Sequence, residues 1–150
     1  MNKILGNEYI IYINTVDSVA DGGHAQDSNY RAVACLITNG FSGSTDSIET
    51  TSKCSGSDKD SEPGDRGWTI TGEGQAVDDI SSAQANYQEL AELWASGRKF
   101  WIKMANPTNN IVREGKTWIS SYAETAARNV AYGFNATFQG TGAPILVATT

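Results

Sequence analysis

VAYGFNATFQ, residues 130–139, is the stretch that decides the fold. Its even positions are apolar, whereas its odd positions are small or polar. Successive side chains of a β-strand point to opposite faces, so the pattern predicts a sheet with one buried face and one hydrated face. The hydrated side carries no acid, base or nucleophile, which favours a surface for packing or passage over a catalytic surface.

Further strands are predicted along the chain, because β-branched and aromatic runs alternate with turn residues. They are Tyr9–Asn14, Arg31–Thr38, Ile48–Cys54, Trp68–Val77, Lys99–Ala105, Ile111–Arg113, Thr117–Tyr122 and a short strand after Pro144, with a turn at Asn39-Gly40 and Gly43. This order of elements predicts a mainly β, antiparallel domain rather than βαβ alternation.

One helix interrupts the strands. An apolar stripe recurs at helical spacing through Tyr87, Leu90, Leu93 and Trp94. Gly97 stands where a helix should end. The N-cap candidates are Ser81, Ser82 and Asn86.

Length and composition indicate one soluble domain, residues 1–150, with long polar loops at 17–29 and 53–67. The net charge of -6 and the absence of a basic patch argue against a protein that grips nucleic acid by its phosphates. The first six residues lack a signal-peptide core, and no apolar run has the length of a membrane span. Synthesis in the cytosol is therefore expected.

The two cysteines, Cys35 and Cys54, are expected to be reduced and packed as small hydrophobic residues. A disulfide stays possible if Ala32–Ile37 and Ile48–Cys54 form one hairpin about Ser44. Two thiols and one distant histidine, His24, fall short of a structural zinc site.

Other motifs are weak. Asp58, Asp60 and Glu62 alternate as in a calcium loop, but Pro63 replaces the required glycine. Gly72-Glu73-Gly74 lacks the third glycine of a dinucleotide fingerprint. Glu89 and Glu92 could pair as in a glycosidase, but solvated helix-surface carboxylates are more typical. We therefore expect no metal, no cofactor and no enzymatic activity.

Tryptophans could bind sugar if they form an exposed platform. Trp94 falls on the helical stripe and is expected in the core. Trp101 alternates with apolar neighbours, which predicts exposure or burial against another subunit. Trp101 and Trp118 together would suit a carbohydrate-binding β-sandwich.

The order of elements and several short phrases resemble the tail tube proteins (major tail proteins) of long-tailed bacteriophages. The matching phrases are Ala32–Ile37, Ser44–Cys54, Trp68–Gly74, Tyr87–Leu90, Gly97–Phe100 and Ala136–Gly142. The resemblance spans about Tyr9 to Leu146, and the closing Phe138-Gln139-Gly140-Thr141-Gly142 is its most specific part.

The resemblance implies an antiparallel β-sandwich or open barrel with one flanking helix. It also implies six-membered rings that stack into a tube through which DNA leaves the capsid. Tape measure, terminator and baseplate or tip proteins would be partners, and DNA would pass without specific binding. The protein would be a virion tail component that is assembled in the host cytoplasm and has no membrane contact.

Two sets of residues become candidates for such a role. The polar positions of two strands could line the lumen: Thr69, Thr71, Glu73, Gln75, Asn135, Thr137 and Gln139. The two polar loops could contact neighbouring subunits and rings: Asp17, Asp21, His24, Asp27, Asp58, Asp60, Glu62 and Asp65. The inner tube of a bacterial contractile injection system is an alternative that the sequence does not separate from a phage tail.

Overall fold

The structure, a computed structural model, describes residues 9–16, 29–33, 36–54, 56–76, 84–106 and 111–148. These residues form one eight-stranded sheet and one helix. In chain order the elements are β1 (Ile10–Asn14), β2 (Arg31–Val33), β3 (Leu36–Glu49), β4 (Ser61–Gln75), β5 (Gln84–Ala85), α1 (Tyr87–Ser96), β6 (Phe100–Asn106), β7 (Ile111–Thr125) and β8 (Gly133–Ala148).

The strands lie in the order β3-β4-β8-β7-β6-β1-β2-β5. Every neighbouring pair is antiparallel except β2 with β5, which is parallel. The sheet curls so that β3 approaches the start of β1. Asn39 Nδ2 of β3 donates to the carbonyl oxygen of Tyr9 at 3.0 Å. A Cβ atom on Gly72 would lie 3.0 Å from Ile11 Cδ1. The expected mainly β fold with one flanking helix is confirmed; of the predicted antiparallel sandwich or open barrel, the structure shows one curled sheet that is antiparallel except for β2 with β5.

The core fills the concave side of this sheet. Its largest buried side chains include Phe100, Phe138, Ile11, Ile13 and Ile70. Phe134, Ala136 and Phe138 of β8 are all buried, while Asn135 between them is exposed. The alternation in the opening stretch therefore gives the predicted buried and hydrated faces from Phe134 onward.

Helix α1 begins and ends where the sequence predicts. Asn86 is the N-cap, and its Oδ1 accepts from the backbone N–H of Glu89 at 3.1 Å. Gly97 ends the helix in the left-handed region at φ 65. Leu90 and Leu93 are buried, but Trp94 is 51% exposed. The prediction that Trp94 lies in the core is wrong, since this side chain lines a surface groove with Tyr122 and Glu124 of β7.

Four strands run further than the sequence predicts. Asn39, Gly40 and Gly43 lie inside β3 rather than in a turn, and β4 already begins at Ser61, so the predicted loop 53–67 is wrong for 61–67. Strand β7 continues through Gly115, and β8 continues through residues 140–144. Strand β8 begins only at Gly133, and the preceding Val130 and Tyr132 are exposed. Backbone pairing with neighbouring strands outweighs the turn preference of these residues.

The cysteine prediction fails for Cys54. The β3–β4 connection lies at 50–60 instead of about Ser44, and Cys54 is a free thiol exposed on that connection rather than a packed hydrophobic residue. Cys35 lies outside the described residues.

Candidate functional site

A polar face forms where β4 lies beside β8. The cross-strand pairs are Thr69 with Gln139, Thr71 with Thr137, Glu73 with Asn135, and Gln75 with Gly133. Directly opposed residues of an antiparallel pair point to the same side of the sheet. The register therefore brings all seven lumen candidates to one face, opposite the buried Ile70, Phe134 and Phe138.

The polar face continues onto the strands on either side. On β3, Thr38 is opposite Glu73 and Ser42 is opposite Thr69. On β7, Trp118 is opposite Gln139 and Ser121 is opposite Thr137. The sequence does not predict these neighbours, because it divides β3 into short elements and does not encode the register between β7 and β8. We call these described positions on β3, β4, β7 and β8, together with the seven candidates, the polar face.

Glu73 is the one charged side chain among the positions that define the polar face. Lysine and arginine are missing from those positions. A phosphate backbone would therefore find hydroxyl and amide groups at those positions, while Lys116, two residues before Trp118, lies on the same side of β7 beyond them.

On the concave side, Trp68 lies against two glycines. A Cβ atom on Gly115 would lie 2.4 Å from the indole ring of Trp68, and one on Gly140 would lie 2.1 Å from it. The indole Nε1 donates to the carbonyl oxygen of Gly142 at 3.0 Å. The phrase Phe138–Gly142 therefore serves packing, because its glycines admit a tryptophan from β4.

Beyond the polar face, β3 and β4 continue as a long hairpin. Thr51 Oγ1 accepts from the N–H of Asp60 at 2.9 Å, and Thr50 N–H donates to the carbonyl oxygen of Asp60 at 3.0 Å. These bonds close the connection just past the last pair, Glu49 with Ser61. All the charged side chains of this hairpin are exposed: Asp46, Glu49, Asp58, Asp60, Glu62, Asp65, Lys53, Lys59 and Arg66.

The hairpin thus presents four of the eight assembly candidates, Asp58, Asp60, Glu62 and Asp65, to solvent. The other four, Asp17, Asp21, His24 and Asp27, lie outside the described residues. Within the described part of the chain, no group of three or more His, Cys, Asp or Glu side chains could hold a metal ion.

A carboxylate and two tyrosines meet beside the helix. The hydroxyl of Tyr132 donates to one carboxylate oxygen of Glu124, and Tyr122 donates to the other at 2.8 Å. These hydrogen bonds, that of Tyr132 first, lower the pKa of Glu124. Burial and the neighbouring carboxylate raise the pKa of Tyr122. The cluster ties the end of β7 to the residues that precede β8.

A second polar cluster is buried on the convex side of β6 and β7, and the sequence did not reveal it. Glu114 is fully buried and accepts from the hydroxyl of Tyr30 at 2.8 Å. Its cross-strand neighbour Lys103 places Nζ 4.5 Å from the ring centroid of Tyr30 and 5.3 Å from that of Tyr12. Lys103, a charged residue within the apolar run of β6, was the one feature of the sequence that could have indicated this cluster. The hydrogen bond to the buried Glu114 carboxylate and the half-buried Lys103 ammonium over its ring hold Tyr30 against the sheet.

The tryptophans do not form the predicted sugar platform. Trp101 is 1% exposed, so it is buried within the chain and the expectation of exposure or of burial against another subunit is wrong. Trp118 is 39% exposed and lies on the polar face. Glu89 forms an ion pair with Arg31.

Comparison with known proteins identifies the family of this chain. The family described as phage tail tube protein matches residues 6–145. This chain belongs to the phage tail tube protein family. The role of that family is structural, in the tail of the virion, and it is not known for enzymatic activity. A search of the curated proteins gave no match.

Solved structures show the same fold at low identity. The tail of an empty gene transfer agent particle, refined with C6 symmetry, is 16% identical with a TM-score of 0.76, and the alignment covers 97% of this chain and 100% of that chain. The SPP1 tail tube is 13% identical with a TM-score of 0.67, at coverages of 98% and 80%. The cap that terminates the tube of the anti-feeding prophage is 11% identical with a TM-score of 0.61, at coverages of 99% and 93%.

None of the described helices is long and apolar enough to cross a membrane.

Proposed function

We propose that this protein assembles into hexameric rings that stack into the tail tube, and that the polar face lines the lumen through which DNA is ejected. The observation that carries the proposal is the polar face itself, whose defined positions hold hydroxyl and amide side chains, one carboxylate and the indole of Trp118, and no lysine or arginine. DNA is densely charged, so each cation on the wall would bind phosphates in every ring and slow its passage. A neutral to acidic wall avoids that retention.

Ring closure also accounts for the edges of the sheet. Strand β3 lies at one edge and β5 at the other. Exposed edges carry unpaired backbone groups that tend to pair with another chain. In a closed ring, the edge of one subunit pairs with the edge of the next, and rings of identical subunits leave no edge unpaired. The C6 symmetry of the gene transfer agent tail supports six subunits.

The charged hairpin and the segment at 17–29 would make the contacts between subunits and rings. In this proposal Asp58, Asp60, Glu62 and Asp65 contact a neighbouring ring from the hairpin. Asp17, Asp21, His24 and Asp27 are the corresponding candidates of the first segment. The end rings would contact the tape measure, terminator and baseplate or tip proteins, while DNA would pass without specific binding.

Electron microscopy of the purified protein tests this proposal. We expect rings or tubes in negative stain, and a cryo-EM map with the polar face toward the central channel. A protein that stays monomeric at high concentration and low salt would argue against self-assembly. Tubes in which Thr71, Glu73 and Thr137 face the outer wall or a subunit interface would refute the lumen assignment alone.

A further inference from the structure

A groove of about 540 Å³ lies between α1 and the C-terminal end of β7. Gln88, Glu92 and Ala95, which recur at the spacing of one helical face, line it from α1. Tyr122 and Glu124 line it from the strand. They are two residues apart on β7, so their side chains lie on the same side of that strand. The groove therefore has one wall of helix and one wall of strand.

This groove lies on the side of the sheet opposite the polar face. Glu124 is directly opposite Phe134, which is buried in the core that Leu90 and Leu93 of α1 also join. Strand β7 is an inner strand, whereas β3 and β5 are the edges of the sheet. In the proposed tube the groove would thus face outward, away from the lumen and from both edges at which the subunits of one ring would meet.

Trp94 gives the groove an exposed aromatic surface. Its side chain is 51% exposed, and the small residues Ala91 and Ala95 lie beside it on α1. The face of an indole ring carries negative charge density, so it attracts a cation placed over it.

Each wall of the groove also carries a carboxylate. Glu92 of α1 and Glu124 of β7 are both exposed. The hydroxyl groups of Tyr122, at 2.8 Å, and of Tyr132 hold the Glu124 carboxylate in place. They also lower its pKa, so Glu124 is ionised at neutral pH. Among the described residues that line the groove, none is a lysine or an arginine.

We propose that this groove binds an arginine side chain of a different protein, with the guanidinium stacked on Trp94 and its charge shared between Glu92 and Glu124. A guanidinium is planar, always charged and weakly hydrated. It therefore suits an indole face between carboxylates better than the compact ammonium of lysine does. The outward position of the groove rests on the proposed tube, whereas the binding chemistry belongs to the single subunit.

Charge and exposure favour an arginine carried by a protein over other ligands. Two carboxylates repel nucleic acid. A free small molecule needs a pocket that covers most of its surface, but Glu92, Trp94 and Glu124 are all exposed. A neutral glycan could stack on the indole, but it would leave both carboxylates without a countercharge. A side chain presented by a partner needs only its end group covered.

Titration of the subunit with short glycine–serine peptides that bear an uncharged dye tests the proposal, with binding read as fluorescence anisotropy at low salt. One peptide carries two arginines, and matched peptides carry lysine or citrulline, the uncharged isostere of arginine, in their place. We expect the arginine peptide to bind, the lysine peptide to bind several-fold more weakly and the citrulline peptide not to bind. Equal binding of all three peptides, or no binding of the arginine peptide, would overturn the proposal. A change in tryptophan fluorescence with maltohexaose, without binding of the arginine peptide, would indicate a glycan site instead.

Variants of the groove locate the binding. Trp94→Leu should weaken binding of the arginine peptide about fivefold and Glu92→Gln about threefold, with unchanged circular dichroism because both side chains are exposed. Trp118→Leu and Glu49→Gln change an exposed indole and an exposed carboxylate elsewhere, so they are the matched controls and should bind as the wild type does. Equal losses in the groove variants and the controls would mean non-specific attraction and would contradict the proposal.

Assembled tubes distinguish a different protein from a second copy of this chain. We expect tubes to bind the arginine peptide as tightly as free subunits do, because the groove stays open on the outer side. Tubes that no longer bind it would show that a neighbouring copy covers the groove, and would overturn the proposal. Subunits that bind the peptide but never form tubes would refute the proposed function and leave the arginine site standing.

Discussion

At the scale of single residues, the closing phrase Phe138–Gly142 has a packing role that alternation alone does not reveal. Trp68 is 4% exposed, and its indole covers the backbone at Gly115 and Gly140. The carbonyl oxygen of Gly142 accepts the indole N–H. One side chain of β4 thus closes the concave side of β7 and β8 at the point where the pairing of β4 with β8 ends.

Gly140→Ala should destabilise the protein by about 2–3 kcal/mol, because the new methyl group would overlap a buried ring that has no room to move. Chemical denaturation followed by tryptophan fluorescence measures the loss. Gly43→Ala is the matched control, since its Cβ would meet no atom closer than 3.9 Å. Equal stability of the two variants would mean that Trp68 can shift at little cost.

The lowered pKa of Glu124 leads us to expect a loss of stability in acid. Its pKa is lowered in the folded protein by the hydrogen bonds of Tyr132 and Tyr122. A lowered pKa contributes stability above the unfolded value of 4.5, and that contribution disappears as pH falls through the folded value. The melting temperature of Glu124→Gln should therefore lie below that of the wild type at pH 7, and the difference should disappear as the pH falls through the lowered pKa of Glu124.

Thermal melts across this pH range measure the effect. Tyr132→Phe removes the first of the two donors and should weaken the pH dependence. Glu92→Gln removes an exposed carboxylate of α1 and controls for the change in net charge. A difference between Glu124→Gln and the wild type that is the same at every pH would contradict the assignment.

At the scale of elements, α1 depends on its cap. It is a helix of 10 residues with a short apolar stripe, so its first turn relies on the Asn86 side chain. Asn86→Ala should cost about 1 kcal/mol, whereas Asn86→Asp should retain the cap. Gln88→Ala, at an exposed helical position, should change the free energy of unfolding by less than about 0.5 kcal/mol. Urea denaturation measures the free energy of unfolding of each variant. An Asn86→Ala variant as stable as the wild type would mean that the cap is dispensable.

The hairpin is the element in which prediction and structure differ most. Residues 61–67 are strand, so a test of assembly should trim only the connection that precedes them. Replacing residues 52–59 by Asn-Gly keeps the Glu49–Ser61 pair, and we expect a folded subunit that forms no stacked rings. An equal-length Gly/Ser replacement separates the length of the connection from its side chains. Normal tubes from the trimmed variant in negative stain would show that this connection has no part in stacking.

At the scale of the whole molecule, the polar face predicts a functional effect without a folding effect. Glu73→Lys with Gln75→Lys should leave the fold and the tubes intact, because both side chains are exposed. The added cations should hold DNA and impair its delivery by assembled particles, and this effect should weaken at higher salt. Glu92→Lys with Gln88→Lys on the helix is the control that adds the same charge elsewhere. Unimpaired delivery by the first variant would contradict a lumen position.

The sequence by itself determined the elements whose signals are local. Side-chain alternation in Phe134–Phe138 sets a buried and a hydrated face, because the strand period is two. The stripe at Leu90 and Leu93, with Asn86 before it and Gly97 after it, sets the helix and both of its ends. These patterns depend on neighbours in the chain, so they can be read without the fold.

Tertiary structure alone decided what depends on partners distant in sequence. Ladder pairing extends β3 through Gly40 and Gly43, although both residues favour turns. Strand register places Thr71 beside Thr137 and so joins two predicted surfaces into one. The way α1 packs on the sheet leaves Trp94 half exposed, and the fold buries Trp101. In each case the free energy comes from backbone pairing and burial between segments far apart in the sequence, which local side-chain patterns do not encode.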